Sequence, residues 1–345
     1  MGVTGPSRRW LQVTAGVGLS ALFLFLALRG EDLEAVAESL EAADPRYLAA
    51  MAGIGVYALY VRCQRWRLLL ERPASGRLPM LPLFSAAAIG FMANMVLPLR
   101  VGEFARPYLV SRNTSVSLSA ALASIILERI LDLAALFVFA MWVVSAAEVP
   151  AVVVRLAWIA GGVVACLLAG LLVLHAQRAR LLPVIDGVWL RLPARIGSRI
   201  VRVEHEFLDA LAVLGDLSVF GRAALWSLYL WLVIAVGFSV GFPAVGIDVP
   251  FLSGGVAVTT IVALAVSIPS APAFVGQFEW GCKVALVRIY GVSGALALGY
   301  SLFTHALQFS VQVILGVVFL VREGLSLGEL GQLDAREAEG GSASK

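Results

Sequence analysis

The chain has 345 residues, of which 60% are hydrophobic and 14% charged, with a formal net charge of +3 and a mean hydropathy of +0.90. Soluble domains carry nearer 25% charged residues. The balance therefore excludes an ordinary soluble domain, gives no basis for a nucleic-acid partner, and predicts an all-α polytopic membrane protein. Cys63, Cys166 and Cys282 lie in or beside apolar stretches at no metal-like spacing. They read as small hydrophobes, and neither a metal nor a cofactor is expected.

Arg8 and Arg9 precede an apolar stretch from Trp10 to Leu28, long enough for the ~30 Å of a bilayer core. No small-residue cleavage site follows, which predicts an uncleaved first span rather than a signal peptide. Glu31, Asp32, Glu34, Glu38, Glu41 and Asp44 come next, almost without basic residues. Asp44-Pro45 is a helix start, with Asp as N-cap and Pro at the first helical position. The second span is expected from Tyr47 to Val61, ending in Arg62, Arg65, Arg67, Arg72 and Arg77, with Trp66 as an interfacial anchor. Arginine excess marks cytoplasmic loops, so the N-terminus and this basic loop should lie inside and the acidic loop outside.

Further spans are expected at Leu118–Val144, Val152–Leu174, Ala223–Phe242 and Ala295–Val321. The same charge rule makes both ends of the stretch from Leu78 to Ser117 cytoplasmic, so it should dip into the membrane and return. Its turn falls where Pro98 and Gly102 interrupt helix, near Arg100, Glu103 and Arg106. Non-helical backbone and charge at membrane depth need protein or a water-filled cavity around them. A second interrupted stretch, with Pro269, Pro272 and Gly276 followed by Glu279, should enter from the opposite face.

The two stretches match. Pro98 precedes Gly102 by four, as Pro272 precedes Gly276, and Glu103 lies 26 before Arg129, as Glu279 lies 26 before His305. Paired broken helices in halves of opposite orientation point to a transporter site near the bilayer midplane. The expected architecture is about six spanning helices plus two broken re-entrant hairpins arranged as an inverted repeat. One membrane domain should cover 1–322, with repeat halves of about 45–146 and 222–322 and a cytoplasmic amphipathic segment of about 176–221. Residues 323–345 read as a polar, disordered cytoplasmic tail.

Glu128, Arg129 and Asp132 fall inside the span from Leu118 to Val144. Each charge at a helix centre costs ~2.5–3.5 kcal/mol on insertion scales, so all three need partners or water. One reading is an ion network locking hairpin to span, for example Arg129 with Glu103 and Arg100 with Glu128. The other is a charged cavity for a zwitterionic or anionic lipid headgroup, with Arg100, Arg106 or Arg129 on phosphate. Glu279 and His305 join the candidate transport residues, His305 as a group able to titrate near neutral pH or as a hydrogen-bonded structural residue. Lys283, four after Glu279, reads as its helix partner.

Asn94, Leu97-Pro98-Leu99-Arg100-Val101-Gly102-Glu103 and Arg106, then Glu128-Arg129 and Asp132, then Pro269, Pro272, Gly276 and Glu279 together resemble the flippase-like lysylphosphatidylglycerol synthase transmembrane region family. Arg65-Trp66 is also typical, and the likeness extends over nearly the whole chain. Where that family has glycine after the second-half proline, this chain has Ala273. The resemblance implies translocation of a phospholipid or lipid-linked headgroup between leaflets of the cell membrane. The 345 residues leave no room for the synthase's soluble aminoacyl-transferase domain, so lysyl-lipid synthesis is not expected. With no HExxH, nucleophile elbow, Asp-x-Asp pair or nucleotide loop, the chain is expected not to be an enzyme. The alternatives are a membrane-embedded lipid-modifying transferase and an accessory subunit presenting lipid to a glycosyltransferase or synthase. A homodimer is a further open arrangement.

Overall fold

The computed structural model describes residues 6–41, 43–71, 76–146, 151–191, 193, 197–198, 200–201, 204–205, 208, 215–268 and 272–330. It is 86% helical, with no strand among the described residues. In chain order the helices are α1 (Pro6–Leu28), α2 (Leu33–Glu41), α3 (Pro45–Leu70), α4 (Met80–Val96), α5 (Gly102–Asn113), α6 (Leu118–Ala146), α7 (Ala151–Trp189), α8 (Leu217–Val240), α9 (Phe251–Ser267), α10 (Gln277–Tyr290) and α11 (Gly294–Arg322). Short 3₁₀ turns, Pro98–Arg100 and Pro272–Phe274, stand between α4 and α5 and between α9 and α10. The chain is an all-α membrane protein.

Among the described residues, three stretches are long and apolar enough to cross a bilayer by length and composition: Ala157–Arg178, Leu217–Val245 and Gly294–Arg322. The 26-residue α3 and the 29-residue α6 are long enough too, but each carries charges along its length. α4 and α9 have 17 residues each. At ~1.5 Å per residue they reach about 25 Å, short of the ~30 Å apolar core, as suits arms of a hairpin that turns back.

Asp44 caps α3 as its sequence predicts, its side chain accepting from the Arg46 N–H at 2.9 Å with Pro45 at the first position. The helix then runs to Leu70, well past the expected end at Val61, because apolar Leu68-Leu69-Leu70 continues it beyond the arginines. α7 runs to Trp189 with Pro183 inside it. Residues 176–189 of the expected amphipathic segment therefore continue the preceding helix. Leu208 of that segment is buried against Leu69, Leu127, Leu131 and Ala223, while Val203, Phe207, Leu211 and Leu214 lie outside the described residues.

The series α3, α4, turn, α5, α6 is matched in length by α8, α9, turn, α10, α11: 26 against 24 residues, 17 against 17, 12 against 14 and 29 against 29. Packing between the two series is reciprocal. The leading helices α3 and α8 pack together, α4 packs on α11, α9 packs on α6, and the two 3₁₀ turns touch. Each second arm folds back on its first through small residues. A Cβ on Gly102 would strike the Gly90 carbonyl oxygen, and one on Gly281 would come within 3.1 Å of Val262 Cα. Gly237 and Gly241 let α8 approach α3, where Ile54 and Met51 face them.

Two charged residues, Lys283 and Glu323, hold the frame through contacts that sequence spacing does not indicate. Lys283 pairs with Glu31 at 2.5 Å and donates to the Ala27 carbonyl at 2.8 Å, tying α10 to the end of α1; it does not pair with Glu279. Glu323, expected to begin a free tail, accepts from Ser85 at 2.6 Å and from Asn113 at 2.9 Å, clamping both arms of the first hairpin. Leu330 is buried in the same core, and 331–345 lie outside the described residues.

Candidate functional site: an ion-lined cavity where the two breaks meet

Both breaks place non-glycine residues in the left-handed region: Arg100 at φ 55°, Ala273 at φ 61° and Phe274 at φ 58°. L side chains adopt it at a cost, and glycine is its usual occupant. Gly276 also has a positive φ, 86°, and packs against the α1 backbone at Ser20 and Leu24. Gly102 instead begins α5 and is needed for close approach. Pro98 and Pro272 open the two turns, and Pro269 lies outside the described residues. Arg100 and Phe274, each third in its turn, meet with the guanidinium 5.4 Å from the ring centroid. The Arg100 guanidinium also donates to the Val266 carbonyl at the end of α9. One break thus supplies a cation that rests on the other.

Behind them lies a buried ion network. Arg65, with no exposed side-chain surface, pairs with Asp132, donates to Glu128 Oε1 at 3.1 Å and reaches Ser227 Oγ at 3.1 Å. Arg106 donates to Glu128 Oε2 at 3.0 Å and sits 4.5 Å from the Trp66 ring centroid. Asp132 also accepts from Trp231 Nε1 at 3.0 Å. Glu128 is thus closed in by two arginines; ion pairs join α3, α5 and α6 in the interior, and α8 is attached to them through Ser227 and Trp231.

A second set of charges faces a cavity of about 460 Å³. Arg62, Arg100, Glu103, Arg129, Asp132 and His305 line it, with Asn94, Trp231 and Gln312 adding polar groups. Its ion pairs are loose. Arg129 lies 3.9 Å from both Glu103 and Asp132 with 44% of its side chain exposed, and Arg62 lies 3.9 Å from Asp132. Asn94 Oδ1 is buried without a hydrogen-bond partner.

At the second break His305 Nδ1 lies 2.5 Å from Glu279 Oε1, and Nε2 lies 2.7 Å from the Ala273 carbonyl oxygen. A carbonyl only accepts, so Nε2 carries a hydrogen, and the Nδ1–Glu279 contact holds one further proton between ring and carboxyl. The other Glu279 oxygen accepts from the Gly276 N–H at 2.7 Å. The matched spacing of 26 residues therefore corresponds to matched contacts, Glu103 with Arg129 and Glu279 with His305.

Of the residues singled out from sequence, Arg100, Glu103, Arg129, Asp132 and His305 face the cavity. Arg106, Glu128 and Glu279 sit buried behind it; Glu128 and Glu279 have both oxygens bonded to protein, whereas Arg106 uses only Nη2, its Nε and Nη1 being buried without a partner. The suggested pairing of Arg129 with Glu103 is present; that of Arg100 with Glu128 is not, because Arg65 and Arg106 occupy Glu128. The arginine rule places Arg62, Arg65 and Trp66 at a cytoplasmic edge. Arg65 and Trp66 are instead fully buried, Trp66 donating to Ser124 at 2.8 Å, and Arg62 lines the cavity. The signal was present in Leu68-Leu69-Leu70, which leaves those arginines inside an apolar helix.

Fold and site define an integral membrane protein with an ion-lined internal cavity. The chain belongs to the lysylphosphatidylglycerol synthase transmembrane region family, whose model matches residues 13–316. It is also similar to glycosyltransferase AglD of Haloferax volcanii, 28% identical over 357 residues, covering 92% of this chain and 55% of that protein. The chain therefore spans about half the length of this curated relative. No solved structure matches it. Family and relative together suggest a lipid-related function in the membrane. The expectation that the chain is not an enzyme is overturned by this match, since a protein related over 92% of the chain is named a transferase. The lack of a familiar catalytic motif was too weak a ground for that expectation.

Proposed function

We propose that the cavity receives the phosphate-bearing headgroup of a membrane lipid and carries it between leaflets. The observation behind this reading is a surplus of positive charge. Among the described residues, Arg62, Arg65, Arg100, Arg106 and Arg129 cluster around only three carboxylates, Glu103, Glu128 and Asp132. Two positive charges remain over, and the arginines facing the cavity are the loosely paired ones. Guanidinium groups suit phosphate because their N–H donors match two of its oxygens at once. A headgroup phosphate entering beside Arg129 takes the place of Asp132, which keeps Arg65, so binding exchanges ion partners rather than stripping a charge bare.

The reciprocal packing of the two helix series supports an inverted repeat, with α4–α5 and α9–α10 as hairpins entering from opposite faces and α1, α3, α6, α7, α8 and α11 as the six spans. Arginine distribution favours both termini on the cytoplasmic side of the cell membrane. In liposomes holding a phospholipid whose fluorescent headgroup is quenched only from outside, the wild-type protein is expected to bring the inner-leaflet pool within reach of the quencher. A pool that stays protected as in empty liposomes contradicts the reading.

The name of the Haloferax relative favours a second reading, in which the same cavity holds a lipid acceptor for group transfer, by this chain or by a partner glycosyltransferase to which it presents the lipid. Transfer of labelled sugar onto lipid by the purified protein, without leaflet exchange, would decide for it.

A further inference from the structure

An apolar groove of about 220 Å³ lies between α3, α8 and α11, lined by Ile54, Ala58, Leu59, Phe238, Val311 and Leu315. It shares Arg62, Phe91, Gln308 and Gln312 with the charged cavity, so the two spaces adjoin. At the junction the Arg62 guanidinium stands 4.9 Å from the Phe91 ring centroid. Gln312 Oε1 there is buried with no hydrogen-bond partner. At its outer side the groove reaches exposed Gly55, next in sequence to exposed Val56.

We propose that this groove holds one apolar chain of the lipid whose phosphate occupies the cavity. The inference rests on the headgroup reading above and adds where one apolar chain of the substrate lies: it meets the phosphate beside Arg62, where groove and cavity adjoin. Three features carry it. The groove adjoins a site with surplus positive charge, as an anionic lipid requires. Its wall is apolar on the side away from the arginines and polar only at the junction. Its volume of about 220 Å³ is enough to take a segment of one apolar chain. The chain could belong to a polyprenyl phosphate or be one arm of a glycerophospholipid; both present the same chemistry here.

Gly55 offers a way to close the groove gently. A Cβ there meets nothing within 4 Å, and replacing a helical glycine improves helix propensity. Gly55→Phe is therefore expected to fold as the wild type does while filling the mouth. The test is photo-cross-linking in phosphatidylcholine vesicles with dodecyl phosphate bearing a diazirine either near the phosphate or at the far end of the chain. The near probe should label the cavity at Phe91 or Phe274. The far probe should label α3 around Ile54 and Leu59 and α11 around Val311 and Leu315, and Gly55→Phe should lower that labelling at least ten-fold. Displacement of the far label by excess phosphatidic acid assigns the chain to a glycerophospholipid, and displacement by a prenyl phosphate to a polyprenyl carrier. If neither displaces it, or if the near probe labels the cavity while the far probe misses the groove or ignores Gly55→Phe, the groove proposal fails and the headgroup reading stands. If the near probe does not label the cavity, both fail.

Discussion

In the first hairpin the turn at Pro98–Arg100 aims a guanidinium across the cavity, and the following arm contributes Glu103, loosely paired with Arg129 at 3.9 Å. In the second, the turn at Pro272–Phe274 offers a ring and a carbonyl, and the following arm contributes Glu279, held against His305 at 2.5 Å in the interior. The backbones bend at matched places and the matched carboxylates both reach the long helix that follows. The chemistry at those places has diverged. The first carboxylate lines the cavity in a long ion pair; the second is buried and hydrogen-bonded on both oxygens. The two helix series thus break at matched places, while the residues at each break decide how tightly its carboxylate is held.

Substitutions that separate bracing from binding sharpen this contrast. The largest effect should come from Glu128→Ala, which leaves Arg65 and Arg106 buried without their shared carboxylate. Breaking a buried pair typically costs ~3–5 kcal/mol, so the detergent-solubilised protein should melt far below the wild type or fail to accumulate. His305→Ala removes the partner of Glu279 and of the Ala273 carbonyl. A loss of about 1–3 kcal/mol is expected from groups left unpaired, seen as a clear fall in melting temperature. Arg129→Ala should behave oppositely. Its pairs are long and its side chain 44% exposed, so the stability change should stay below about 1 kcal/mol while leaflet exchange falls at least ten-fold. Equal destabilisation by Arg129→Ala and Glu128→Ala would erase the distinction between the two sets of charges.

The smallest effect tests the second break alone. Ala273 adopts φ 61°, and an L residue there costs roughly 1–2 kcal/mol. Ala273→Gly removes that cost, offset in part by the greater freedom of glycine in the unfolded chain. A net stabilisation of about 0.5–1 kcal/mol, read as a small rise in melting temperature, is expected; a fall would show that the methyl group packs usefully.

Much of this was legible in the sequence because prolines, glycines and charges stand out sharply in apolar surroundings. The two breaks, the matched carboxylates and the ionised turn of α6 could all be located that way. The ion partners could not. Arg65 is a cytoplasmic marker by the arginine rule and a buried ion by its position in α3, and only the helix continuing through Leu70 separates the two. Which of Arg100 and Arg106 faces open space depends on how α5 folds back on α4, and that is set by the close contact of Gly90 with Gly102 across the turn, which sequence spacing does not show. Lys283 shows the same limit. Spacing along α10 favoured Glu279, but the helix faces the end of α1 and takes Glu31.

The central claim is that the breaks enclose a hydrated cavity with surplus positive charge. Met95 lines that cavity, while Cys63 and Cys282 are buried and Cys166 is exposed. With Cys166 replaced by serine and Met95→Cys introduced, the reaction rates of an anionic and a cationic water-soluble methanethiosulfonate can be compared, each normalised to its rate with a small free thiol. The account predicts at least a ten-fold preference for the anionic reagent, reduced by Arg129→Ala. No reaction with either, or a preference for the cationic reagent, would contradict it.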